Sequence, residues 1–157
     1  KIFIRSGIRY DIALNSKEYI KEISDHHISG CLKIAPEHFS KKVTKLMNKD
    51  NLGFSEFVSF FSDINKKKKQ YLKYYFMIGH PGDDVNECLY LRDMIVKNKL
   101  DNIESFQLFT PTPMTVSTCM YWTGMNPLTM ENVYTACDYK TKKQLKRIIL
   151  EIQKKKR

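Results

Sequence analysis

Short apolar runs alternate with segments of helical period along most of this chain, and that alternation constrains the fold more than any other feature. Residues 2–6 (IFIRS), 31–35 (CLKIA), 71–78 (YLKYYFMI) and about 103–109 (IESFQLF) have the length and apolar, aromatic-rich content of strands. Between them lie helical patterns. Asn15 with Glu18 resembles a capping box for a helix that carries Tyr19, Ile20, Ile23 and His27 on one face and stops at Gly30. A helix near 39–48 groups Val43, Leu46 and Met47, and Gly53 precedes one that aligns Phe54, Phe57, Val58, Phe61 and Ile64. Asp84 with Glu87 opens a helix expected to bury Val85, Cys88, Leu89 and Ile95. The order βαβααβαβ implies parallel strands joined by right-handed crossovers, an α/β fold.

From Thr110 to about Tyr139 the periodicity lapses, with Pro111, Pro113, Pro127 and the single Trp in the stretch. So apolar a segment is expected to pack over something rather than stand in solvent. A last helix, expected to be capped by Thr141 with Gln144, aligns Leu145, Ile148, Ile149 and Ile152 with its charges outward.

The 157 residues carry 27 Lys and Arg against 17 Asp and Glu, a formal charge of +10. Residues 140–157 hold nine of those bases and one acid, so this tail carries +8 and the preceding 139 residues only +2. The charge therefore reads as solvated helix ends rather than as a phosphate-binding surface. Cys31, Cys88, Cys119 and Cys137 form no CxxC pair, which speaks against a closed zinc site. Free, mostly buried thiols in a reducing cytoplasm are expected. No run approaches the eighteen apolar residues of a membrane span. A chain that opens within a strand-like run is expected to be part of something longer.

In parallel α/β architectures, ligands bind beyond the carboxyl ends of the strands. Those ends carry Arg5, Ser6, Gly7 and Arg9; Pro36, Glu37 and His38; Gly79, His80, Pro81 and Gly82; and Thr110, Pro111, Thr112 and Pro113. Each cluster has a plain alternative. Arg5 and Arg9 either pair with Asp11 or Glu37, or bind an anion or ribose. Glu37 either caps the next helix or meets a ligand. The Gly79–Gly82 turn is either simple turn chemistry or a place where a ligand nears the backbone at a helix start. Asp25, His26 and His27 read as the polar end of a helix rather than a metal site.

The blocks KIFIRSGIRYD (1–11), LKIAPEHFSKKVTKLMNK (32–49), YFMIGHPGDD (75–84) and FTPTPMTVSTCMYWTGMNPLTME (109–131) resemble the YgiQ family of radical S-adenosylmethionine proteins, over nearly the whole chain. The resemblance implies a partial TIM-type (β/α) barrel made of the later strands only. About four parallel strands with helices would occupy residues 1–109, and a Thr/Pro-rich segment and basic C-terminal helix (110–157) would pack on them. By motif position, Arg5, Ser6, Glu37, Gly79 and His80 would contact S-adenosylmethionine, and Thr110, Thr112 and Thr115 would line the substrate side. The superfamily's four-iron–four-sulfur cluster sits on a CxxxCxxC loop, and this sequence has none. The cluster ligands are accordingly expected upstream, in the missing N-terminal half of the same protein. The chain would then be the C-terminal part of an enzyme of unnamed substrate, inactive alone. Two alternatives stand beside this reading: a nucleic-acid-binding α/β module acting through the basic helix, and a remnant that self-associates through an open sheet edge.

Overall fold

The computed structural model describes residues 2–49 and 51–155, with side chains up to Glu151. Lys156 and Arg157 of the basic tail, and the side chains of Ile152, Lys154 and Lys155, lie outside the described residues. The architecture is mixed α/β. Helices α1 (Tyr10–Ala13) and α2 (Lys17–His26) precede strand β1 (Cys31–Glu37). Helices α3 (Lys41–Leu46) and α4 (Phe54–Ile64) lead to β2 (Tyr71–Ile78), and α5 (Val85–Lys97) leads to β3 (Ile103–Leu108). Helices α6 (Val116–Thr123) and α7 (Tyr139–Lys155) complete the order.

The strands form one open parallel sheet in chain order, β1-β2-β3. It has three strands, not four, and does not close. The expected strand over residues 2–6 does not form. The backbone N–H of Ile4 donates to the carbonyl of His27 at the end of α2, and a single parallel bridge joins Ile8 to Ile34. A donor spent on a helix end cannot join a ladder. β1, an edge strand of the sheet, runs through Pro36 rather than stopping there.

The chain divides into two compact units. The first comprises Lys1–Pro36, Asn51–Tyr75 and Asn102–Ser105. Its core gathers Ile20, Ile23, Leu32, Ile34, Phe54, Phe57, Phe61 and Leu72 around the fully buried Tyr10. The ring of Tyr10 meets Phe54 edge-on at 5.7 Å, and its hydroxyl donates to Asn51 Oδ1 at 2.7 Å. Helix α2 is capped by Ser16, whose hydroxyl accepts the Tyr19 N–H at 3.1 Å, one residue later than the Asn15 cap expected. Its buried stripe is Ile20, Ile23 and Ser24, and Tyr19 stands outside it. On the other face of the sheet, Glu104 accepts from Lys33 at 2.9 Å and from Lys73 at 2.6 Å.

The second unit comprises Glu37–Asp50, Phe76–Asp101 and Phe106–Arg157. Phe76 stacks on Phe106 at 5.9 Å, and α5 packs on α7 through Cys88, Leu91, Ile95, Leu145 and Ile149. The Asp84 cap holds as expected, accepting from Asn86 N–H at 2.9 Å and Glu87 N–H at 3.1 Å. Val85, which follows the cap directly, is turned outward and is 50% exposed; Leu91 takes the place in the core that Val85 and Leu89 were expected to share.

The aperiodic stretch contains α6, started by Thr115 and ended by Gly124 at φ 67°. Only part of this segment packs inward: Met120 and Tyr121 are buried, whereas Met114, Trp122, Leu128 and Met130 are exposed. Helix α7 is capped by Asp138, whose carboxylate accepts the Thr141 N–H at 2.7 Å, so Thr141 is not the cap. Its charges are not all outward, since Lys142 is buried. All four cysteines are free; Cys88 is buried, Cys31 half-buried, and Cys119 and Cys137 are exposed, so the thiols are not mostly buried. Among the described residues, no helix is long and apolar enough to cross a membrane.

Candidate functional site

The carboxyl ends of all three strands belong to the second unit. β1 ends in Glu37, a non-glycine residue in the left-handed region at φ 63°. β2 ends at Ile78 and passes into Gly79 at φ 74°, a conformation that favours glycine. The Phe109 N–H, just past β3, donates to the Ile78 carbonyl at 2.8 Å. Three chain ends thus lie side by side.

The turn after β2 is tied down by Asp83, which is fully buried and accepts the Gly79 N–H at 2.6 Å. The Gly82 N–H donates to the Tyr134 carbonyl at 2.7 Å, and a Cβ on Gly82, at φ 90°, would lie 2.4 Å from Leu46 Cδ1. His80 is held between these contacts, 3% exposed. Its Nδ1 lies 2.8 Å from the Pro81 carbonyl, which can only accept, so Nδ1 carries the hydrogen. The Nε2 lone pair then accepts the Ser117 hydroxyl at 2.8 Å. Burial pushes the imidazole pKa down to about 4, so the ring is neutral at pH 7.

His80 and Ser117 line a cavity of about 240 Å³. Its polar wall is Glu37, Lys49, His80, Thr112, Thr115 and Ser117, and its apolar wall is Met47, Met77 and Phe109. Burial raises the Glu37 carboxyl pKa, opposed by the Lys49 ammonium 3.5 Å away. The cavity therefore brings together the neutral His80–Ser117 pair, a half-buried carboxylate and one cation beside flat and thioether surfaces.

Of the residues singled out from sequence, Glu37, His80, Thr112 and Thr115 come together on this cavity. Gly79 does not line it. A Cβ there would lie 3.1 Å from Lys142 Cγ, so the close approach at Gly79 is made by a lysine stem. Thr110 is exposed, and its hydroxyl donates to the Leu108 carbonyl at 3.4 Å. Arg5 and Ser6 belong to the first unit, exposed in the extended segment before the Ile8 bridge. Arg9 makes a two-pronged pair with Asp11, the structural one of the two readings for that residue. A larger groove in the first unit, about 470 Å³, is mainly apolar and includes Ile8, Ile12 and Tyr19.

Sequence reasoning missed Lys49, Met77, Ser117 and Lys142. Lys142 sits beneath the site, donating to the Phe109 carbonyl at 2.8 Å with its ammonium 4.3 Å from the Tyr121 ring centroid. Ser117 had one local signal, the Thr115 cap two residues earlier, which accepts the Thr118 N–H at 3.2 Å.

Comparison with known proteins gives a consistent set of relatives. Residues 104–155 match a family described as a domain of unknown function (DUF3362). The chain is similar to a UPF0313 protein of Methanosarcina acetivorans, with 46% identity over 90% of this chain and 19% of that protein. A UPF0313 protein of Clostridium botulinum is 47% identical over 96% of the chain and 24% of its own length. UPF0313 protein MJ1155 of Methanocaldococcus jannaschii is 44% identical over 96% of the chain and 26% of its own length. The chain thus spans about a fifth to a quarter of these relatives.

Proposed function

This chain belongs to the UPF0313, YgiQ-like family, and on that premise we propose that it is the later part of the catalytic barrel of a radical S-adenosylmethionine enzyme, where it holds part of that cofactor. The strand order supports the barrel. Strands that follow chain order, with right-handed crossovers, put both connections on the same face of the sheet.

The observation that carries the reading is the meeting of Glu37, His80, Thr112 and Thr115 around one cavity beyond the carboxyl ends of the strands. These side chains fit a nucleoside-like portion of the cofactor. His80 Nε2 and the Glu37 carboxylate accept from hydroxyl or amino groups, and Phe109, Met47 and Met77 cover flat apolar surface. At about 240 Å³ the cavity lies below the roughly 300–1,000 Å³ of complete ligand sites, so it takes a portion rather than the whole molecule. The iron–sulfur cluster does not fit here. Among the described residues no three His, Cys, Asp or Glu side chains gather as a ligand set, and the proposal assigns the cluster to the remainder of the longer protein. When bound, the cofactor and cluster supply one-electron chemistry. The residues of this chain bind and orient, and His80, neutral at pH 7, holds its proton on Nδ1.

The test is anaerobic cluster reconstitution of the full-length protein, followed by addition of S-adenosylmethionine and reductant. Formation of 5′-deoxyadenosine, with weaker cofactor binding in Glu37→Ala and His80→Ala, is expected. No product and no binding would overturn the reading, and unchanged binding in both variants would remove those residues from the site.

A further inference from the structure

A buried cation stands directly behind one wall of the strand-end cavity. Lys142, on the first turn of α7, is 7% exposed and is not among the residues that line the cavity. Its ammonium donates to the Phe109 carbonyl at 2.8 Å and lies 4.3 Å from the Tyr121 ring centroid. Burying an ammonium is costly unless its hydrogens are met, so the carbonyl and the aromatic face together fix where it stands. Both neighbours of this side chain lead to the cavity. Phe109 forms part of the apolar wall, its N–H is held by the Ile78 carbonyl at 2.8 Å, and its ring meets His80 edge-on at 5.0 Å. Gly79 directly precedes His80, and the lysine stem occupies the room that its missing side chain leaves. Lys142 thus grips the chain on both sides of the His80–Phe109 contact, by its stem at one and by its ammonium at the other. The grip has a fixed base. The Cys88 thiol donates to the Leu145 carbonyl at 3.1 Å, tying α7 to α5, and the Tyr121 hydroxyl donates to the Cys137 carbonyl just ahead of α7.

We propose that Lys142 is a positioning residue of the ligand site: without touching the ligand, its ammonium holds Phe109 against His80 and so fixes the wall that meets the flat part of the ligand. The proposal rests on the assignment of this cavity as the S-adenosylmethionine site. It gives α7, which lies within the matched domain of unknown function, a part in binding. Stem and ammonium can be told apart. A methionine fills the volume of the stem beside Gly79 but brings no donor to the Phe109 carbonyl. Were packing the whole role of Lys142, that substitution would leave the cavity wall in place.

The test compares native, Lys142→Met and Ile149→Val forms of the full-length protein by calorimetric titration of S-adenosylmethionine and by NMR of selectively labelled lysine, phenylalanine and histidine side chains. In the native protein the Lys142 ammonium is expected to show a nuclear Overhauser contact with the Tyr121 ring. Lys142→Met should weaken S-adenosylmethionine binding by roughly tenfold, the scale on which outer partners of binding groups act, and shift the Phe109 and His80 ring signals. Ile149→Val trims the fully buried core of the same helix and should leave both readouts native. Native binding or native ring signals in Lys142→Met overturn the proposal, as does equal weakening in the two variants, which would mark a general loss of structure. Absence of the Overhauser contact in the native protein overturns it as well, and that measurement stands even where Lys142→Met does not fold. If the native protein binds no S-adenosylmethionine, the cofactor assignment falls, and the ring signals of Lys142→Met against Ile149→Val still decide the positioning role.

Discussion

The hydroxyl of Ser117 donates to Nε2 of His80 at 2.8 Å, joining the start of α6 to the turn after β2 across 37 residues of sequence. The geometry works in one direction only, because the Pro81 carbonyl fixes the hydrogen of His80 on Nδ1. The bond therefore closes the strand-end cavity with a neutral acceptor that any ligand hydroxyl could engage in place of the serine.

Ser117→Ala removes the donor and leaves that nitrogen to water or ligand. A loss of about 1 kcal/mol is expected, at the low end for an unsatisfied polar group because the atom borders a cavity. Ser117→Thr retains a hydroxyl and should recover most of it. Urea denaturation of the three proteins at pH 7 measures the difference, and equal midpoints for Ala and native would show that the bond contributes nothing.

His80 makes stability depend on pH with a defined sign. Its folded pKa, about 4, lies below the ordinary 6.5, so the unfolded chain binds the extra proton between those values. Stability from this group is complete above about pH 6.5 and falls as the pH drops toward 4. The gap between those two values corresponds to a limit of roughly 3 kcal/mol. Denaturation midpoints of native and His80→Gln proteins from pH 4 to 7 should diverge in slope, with the native curve steeper. Parallel curves would mean that the ring is not held neutral.

The Glu37 carboxyl is raised by burial, and the Lys49 ammonium at 3.5 Å opposes that rise. Lys49→Met should therefore push the Glu37 pKa higher still. A carboxyl raised on folding lowers stability as the pH climbs through its folded pKa, so the variant should lose more on that climb than the native protein. Carbon-detected NMR titration of the Glu37 side chain gives the pKa directly. A downward shift in Lys49→Met would contradict the pairing.

Lys142 combines a buried stem against Gly79 with a charged end under Phe109 and Tyr121. Lys142→Ala opens a cavity and strips the Phe109 carbonyl of its donor, for an expected loss of about 3 kcal/mol. Lys142→Met fills the stem's volume and should lose only about 1–2 kcal/mol. Thermal or urea unfolding separates the two. If Met is as damaging as Ala, the ammonium contacts outweigh the packing.

Local chemistry made much of the fold legible in advance. The run YLKYYFMI is β2 from end to end, because its apolar and aromatic content needs no distant partner to be recognised. The Asp84 cap and the Phe54, Phe57, Phe61 stripe likewise depend on residues within one or two helical turns. The placing of Glu37, His80 and Thr112 at or beyond strand ends followed from element order, and that of Thr115 from the family resemblance. The role of each was not legible. Whether 2–6 becomes a strand turned on the His27 carbonyl, which claimed the Ile4 N–H. That Lys142 points inward turned on the missing side chain of Gly79, 63 positions earlier. The hydroxyl that meets His80 Nε2 comes from Ser117, 37 residues away, and only the packing of α6 on the turn after β2 supplies it. By itself the sequence determined the three strands of the sheet, most helices, the Asp84 cap and the strand ends that gather polar residues, since periodicity and capping act over a few residues. Tertiary structure alone decided which of those residues share a cavity and in what protonation state, since burial and hydrogen-bond direction arise between segments far apart in the chain.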